Sequence, residues 1–252
     1  MIKFVVFGLQ RTGTTLVVTL LASHPRILSL GELFDDKEKI EGQVIPTYKL
    51  YLKQLSPAGD YTPAQHKGLI YRYLDNFFSK EDFKAVGFKL MLNQSQKYPV
   101  ILDYLKENNI KLIYIFRENL LKTAISRLRA KETGIYNNMQ PIFDSAGNAK
   151  TRLKIPVKSL FLALEYVARQ NKDLENAITN CGLDYMTVFY EKLSQNRMAE
   201  AGKILKFLGI QEPVELNTKL QKVTPSELKD SVENYAEIRQ ALKDTPYACY
   251  LE

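Results

Sequence analysis

Short runs of consecutive apolar residues alternate along this chain with longer stretches in which apolar positions recur every three or four residues. The runs at 2–7, 85–89, 111–116 and 185–189 are rich in Val, Ile, Phe and Tyr and predict short buried β-strands. The stretches at 14–23, 62–78, 98–108, 120–133, 157–180 and 196–208 predict helices. Strands that alternate with helices belong to an α/β fold in three layers, a central and mostly parallel sheet flanked by helices. No internal repeat or low-complexity linker interrupts the order, so residues 1–252 read as a single domain. The segment 134–156 breaks the pattern with Gly134, Asn137, Asn138, Pro141, Asp144, Gly147, Asn148 and Pro156. A loop of that length is functional or disordered; the functional reading is a lid or acceptor-binding loop.

In open parallel sheets ligands sit at the carboxyl ends of the strands, so the residues that follow each strand carry the functional reading. The first strand empties into Gly8, Leu9, Gln10, Arg11, Thr12, Gly13, Thr14 and Thr15, and a helix pattern begins at once. Two glycines at this spacing, followed by hydroxyl residues, make a P-loop-like strand, turn and helix. Glycine lets backbone approach an anion, and the first amides of the helix point at it. Thr14 stands where a nucleotide triphosphatase carries its phosphate lysine, and the nearest cation is Arg11, inside the loop. A nucleotide phosphate is expected here, the plain alternative being a glycine turn.

Arg117 follows the strand at 111–116, where a magnesium-dependent enzyme places an acid, although Glu118 comes next. On the helix that follows, Lys122, Ser126 and Arg129 share one face. They read either as a second phosphate site with Arg117 or as a solvated basic face. Lys89 leaves the strand at 85–89 and is suited to neutralise charge that builds in a transition state, or else it snorkels to solvent. Glu32, after the apolar run 27–30, is a candidate general base or a turn acid. His24, between the first helix and Pro25, reads as a C-terminal cap beside the helix dipole.

Composition narrows the partners. The formal net charge of +7 favours an anionic ligand, but the basic residues are dispersed among acids, which argues against nucleic acid. Cys181 and Cys249 form no zinc or redox pattern, no metal-ligand cluster is visible, and a reduced, cytoplasmic protein is the expectation. The first seven residues do not resemble a signal peptide, and the apolar stretch 16–22 is too short to span a bilayer.

Two anion sites of this kind resemble the sulfotransferases, which use 3′-phosphoadenosine-5′-phosphosulfate (PAPS) and release 3′-phosphoadenosine-5′-phosphate (PAP). The segment Gly8 to Thr15 resembles the family's 5′-phosphosulfate loop, with Arg11 where many members have lysine, and Arg117 with Ser126 resembles its 3′-phosphate motif. The segments 23–33, 115–121, 129–134, 189–193 and 231–248 are similar to the bacterial group that holds the lipo-chitooligosaccharide (nodulation) and trehalose-type carbohydrate sulfotransferases. Two departures stand out. Met91 occupies the position of the histidine base of the eukaryotic cytosolic enzymes, which makes Glu32 the candidate base. The eukaryotic Arg-Lys-Gly signature is missing, and Lys222 with Thr224 is the candidate replacement.

The resemblance implies metal-independent, in-line transfer of a sulfuryl group to a hydroxyl or nitrogen of a carbohydrate or small secondary metabolite. Arg11, Glu32 and Lys89 would be catalytic; Gly8, Gln10, Arg11, Thr12, Gly13, Thr14, Thr15, Arg117, Ser126 and Lys222 would bind the nucleotide. Two rivals remain at this stage. A P-loop small-molecule kinase predicts ATP turnover with magnesium, and a non-catalytic nucleotide-binding module predicts binding without transfer. No heptad seam indicates an oligomeric state.

Overall fold

The computed structural model describes residues 1–37, 45–56, 61–134, 152–212, 214–218, 220 and 227–251. In chain order the elements begin with β1 (Ile2–Gly8), α1 (Thr14–Ala22), β2 (Ile27–Glu32), α2 (Tyr48–Leu55) and α3 (Pro63–Phe78). There follow β3 (Ala85–Met91), α4 (Leu92–Lys97), α5 (Val100–Glu107), β4 (Lys111–Phe116) and α6 (Leu120–Thr133). The order ends with α7 (Val157–Cys181), β5 (Tyr185–Phe189), α8 (Tyr190–Gln195), α9 (Arg197–Phe207), α10 (Leu228–Ser231) and α11 (Tyr235–Leu242). The chain separates into two compact units, one of residues 1–116 and 174–218, the other of the described residues of 117–173 and 219–252.

The first unit is the α/β part. Its five strands pair in parallel in the order β2-β3-β1-β4-β5, an all-parallel sheet with flanking helices where the sequence predicts a mostly parallel one. Side chains alternate across the sheet, and each face has its own core. Val5 and Phe7 of β1, with Val86, Phe88 and Leu90 of β3 and Leu112 and Tyr114 of β4, pack under α3, α5 and the last turns of α7. Phe4, Val6, Ala85, Ile113, Ile115 and Val188 face α1 and α9 instead. β1 lies between β3 and β4, where the strand order reverses, so the loop after β1 opens at the switch point of the sheet.

The second unit is helical. Leu121, Ala124 and Ile125 of α6 pack with Leu160, Leu164 and Val167 of α7 and with Ile238 and Leu242 of α11. The Asn234 side chain fixes Ile155 twice, accepting its N–H and donating to its carbonyl, each at 2.9 Å.

Three sequence expectations change. The third strand runs two residues beyond Lys89, to Met91, so Lys89 is inside a strand and not at its end. A fifth strand, β2, includes Glu32; Gly31 interrupts its apolar run and hides it from the pattern. The helices α2, α4, α8, α10 and α11 are eight residues or shorter, too brief to show a period. Most of the segment 134–156 lies outside the described residues, as do Lys222 and Thr224.

Candidate active site

The loop after β1 is built by sterics. A Cβ at Gly8 would lie 2.7 Å from the Thr14 methyl and 3.2 Å from the Ile115 carbonyl oxygen, so only glycine lets β1 pass that closely into the turn. Gly13 caps α1 with φ at 97°, and a Cβ there would stand 2.5 Å from the ring of Tyr190. Arg11 adopts φ of 71°, a conformation costly for a side-chain-bearing residue and found preferentially at functional sites. The Thr12 hydroxyl, buried, donates to the Leu9 carbonyl at 2.8 Å and closes the loop. No side chain caps the first turn of α1, whose leading amides have no intrahelical acceptor. Amides in that position are of the kind that suits an anion. Gln10 is exposed at its tip, Thr14 is buried, and Thr15 is half-buried.

The second group lies at the carboxyl ends of β2 and β3, and a β-bulge creates it. Ile27 through Leu30 pair regularly with Ala85 through Phe88, but the register then shifts so that Glu32, not Gly31, stands opposite Lys89. Lys89, next to Phe88 of the other face, points toward α1. Strict alternation from Leu30 would send Glu32 to the α3 face, and the extra residue turns it back to the Lys89 side. The Lys89 ammonium lies 2.8 Å from Glu32 Oε1 and donates to Thr15 Oγ1 at 3.1 Å. Gln94 Nε2 donates to Glu32 Oε2 at 2.6 Å. The Lys89 side chain is 8% exposed and that of Glu32 22%, so the lysine does not snorkel to solvent; it is held inside by the carboxylate.

The sequence named Lys89, Glu32 and Thr15 separately, and the structure brings them together. It also adds Gln94 and Tyr190, which the sequence reading missed. A signal for Gln94 existed: glutamine three residues past a strand end matches the third helical position of a capping box. Tyr190 follows β5 directly, a strand-end position of the kind that carried the other assignments.

In the second unit Arg117, Ser126 and Arg129 are all buried, at 7%, 3% and 7% exposure, so the face they share on and before α6 is not a solvated one. Burial lowers the Arg129 pKa below the ordinary arginine value. Asn119 caps α6 by accepting the Lys122 N–H at 2.8 Å. His24 departs from expectation. Its Nδ1 accepts the Arg26 N–H at 3.0 Å and its ring is 1% exposed, with the pKa lowered by burial, so it is no cationic cap on the α1 dipole. Among the described residues no group of three or more His, Cys, Asp or Glu side chains is placed to hold a metal, and no helix is long and apolar enough to cross a membrane.

Comparison with known proteins agrees with this geometry. The sulfotransferase domain family matches residues 2–246. Nodulation protein H of Rhizobium tropici is 24% identical over 258 residues, covering 99% of this chain and 92% of that protein. Its namesake from Rhizobium meliloti is 24% identical over 261 residues, at 99% and 94% coverage. Both fit the resemblance to the nodulation group. Among solved structures, a sulfotransferase from Alicyclobacillus acidocaldarius is similar in fold, with a TM-score of 0.50, 13% identity, and coverage of 99% of this chain and 92% of that one. A sulfotransferase domain from the curacin biosynthetic pathway has a TM-score of 0.51 at 15% identity, covering 100% of this chain and 83% of that one. The kinase alternative is not favoured. The chain belongs to the sulfotransferase domain family and is an enzyme of the sulfuryl-transferring type.

Proposed function

We propose that this enzyme takes its sulfuryl group from PAPS and delivers it, in line and without a metal, to a hydroxyl or nitrogen of a carbohydrate or small secondary metabolite. The observation that carries the reading is the contact of Lys89 with both Glu32 and Thr15, which puts a buried cation and a carboxylate beside the start of α1. Thr12, Gly13, Thr14 and Thr15, with Gly8 and Gln10, hold the 5′-phosphosulfate on loop amides and hydroxyls. Arg11 offsets the charge that builds on the departing phosphate oxygen, and Lys89 contacts the sulfuryl oxygens. Glu32 accepts the proton of the acceptor group. The sulfur–oxygen bond to the nucleotide breaks, with its electron pair leaving on the phosphate, as the bond to the acceptor forms. The proton passes from Glu32 to solvent. As in phosphoryl transfer, positioning and charge stabilisation do most of the catalysis.

Arg117 and Ser126 are assigned the 3′-phosphate; a buried guanidinium and a buried hydroxyl supply charge-assisted donors of the right kind. Lys222 is assigned a further nucleotide contact, the segment 134–156 the role of acceptor lid, and the cell interior the place of action. The single family match over 2–246 supports reading the two compact units as one functional domain. Two residues beyond Glu32 begins an aromatic cluster. Phe34 packs on Tyr48 and Tyr98, and half-buried Tyr51, Tyr61 and His66 extend it, a wall suited to either acceptor class. The test is transfer of labelled sulfur from PAPS to a panel of oligosaccharides, phenols and amines, with and without chelator. Transfer that survives chelation and is lost in Glu32→Gln supports the proposal, and ATP consumption with magnesium in its place would overturn it.

A further inference from the structure

Gln94 has no part in the roles assigned above, yet its side chain is enclosed as deeply as the core, at 4% exposure. It is the third residue of α4, and its Oε1 accepts the backbone N–H of Met91, the residue that ends β3, at 3.1 Å. That bond decides which way the amide faces. The carbonyl oxygen is committed to a donor, so the amino group points the other way. There it meets Glu32 Oε2 at 2.6 Å, while Lys89 holds Oε1 at 2.8 Å. The two carboxylate oxygens therefore have different partners, one a neutral amide and the other a cation.

We propose that Gln94 is a positioning residue that sets the plane of the Glu32 carboxylate. The inference rests on the reading of Glu32 as the base. Glu32 stands at the bulged end of β2, an edge strand, with partial exposure, and the terminal torsion of a glutamate is broad unless something pins it. Lys89 alone is a poor pin. Once a sulfuryl group enters beside Thr15, the ammonium divides its three donors between that group and the carboxylate. Gln94 carries no charge, does not compete for the anion, and is itself fixed to the backbone of β3. The base thus stays oriented while the cation turns to the reaction.

Two variants separate this role from helix capping. Gln94→Leu removes the donor to Glu32 and the acceptor for the Met91 N–H without adding charge, and the same change in a Glu32→Gln background shows whether its effect passes through the carboxylate. Release of PAP from PAPS is measured with tetra-N-acetylchitotetraose as a probe acceptor and with water alone, PAP affinity by calorimetry, and stability by urea unfolding. In Gln94→Leu, kcat is expected to fall on the order of tenfold to a hundredfold, with the KM for PAPS and the PAP affinity unchanged, and no further fall is expected in the Glu32→Gln background. Wild-type turnover in Gln94→Leu, or a fall of the same size in both backgrounds, would reduce Gln94 to a helix cap and overturn the proposal. Where neither acceptor supports release, urea unfolding of the same cycle decides, and strictly additive losses from Gln94→Leu and Glu32→Gln would overturn the proposal. Undiminished release by Glu32→Gln is a different failure, that of the base assignment.

Discussion

Replacing Glu32 by Gln removes one charge from a pair whose other member is shut away from water. The Lys89 side chain is 8% exposed and its ammonium keeps only the Thr15 hydroxyl, at 3.1 Å, of its two described partners. Breaking a fully buried pair from one side costs about 3–5 kcal/mol, because the remaining charge is left uncompensated. Glu32 is 22% exposed and glutamine still offers an oxygen at the same place, so the loss is scaled down to about 2 kcal/mol. For a chain of this length that is a fall in Tm of about 4–8 °C. Binding moves the other way. With its carboxylate gone, Lys89 is free to pair with an incoming anion, and PAPS is expected to bind about fivefold more tightly to the variant, about 1 kcal/mol. Thermal unfolding in the absence of nucleotide and calorimetric titration with PAPS read the two signs separately. A variant as stable as the parent that binds PAPS no better would refute the claim that this pair restrains the lysine.

Further outcomes follow from the same geometry. Gly13→Ala forces a left-handed residue against the Tyr190 ring and is expected to cost about 2–4 kcal/mol by urea unfolding, with the steric share recovered in a Tyr190→Ala background. Leu74→Ala empties a fully buried position under the sheet and is expected to cost about 2–5 kcal/mol in the same assay. Stability also depends on pH through His24, whose folded-state pKa is lowered by burial against a smaller opposing pull from Glu212. The unfolded chain therefore binds a proton that the folded one refuses, so stability is full above about pH 6.5 and falls as the pH drops below it. His24→Asn keeps an acceptor for the Arg26 N–H and is expected to flatten that slope in urea titrations between pH 7.5 and 5.5; an unchanged slope would assign the effect elsewhere.

The sheet and the glycine turn after β1 were legible because their signals are local. β1, the turn and α1 occupy one continuous stretch, and β4 with α6 carries Arg117 and Ser126 in plain order. What the sequence hid is non-local. Nothing near Lys89 announces that a carboxylate 57 positions earlier holds it inside the sheet, so its charge read as the end of a strand that runs on to Met91. Nor does Gly31 announce a bulge; the bulge exists only relative to the register of β3, and it alone turns Glu32 to the Lys89 face. Ser126 and Arg129 show the same limit from the other side, since helical spacing groups them without saying whether protein or water lies over the group.

The most direct test of the central claim is calorimetric titration of metal-free protein with PAP, beside AMP and ATP. Clear preference for the 3′-phosphorylated ligand, lost in Arg117→Ala, is the predicted result. Tighter binding of ATP on adding magnesium, with no gain from the 3′-phosphate, would contradict it.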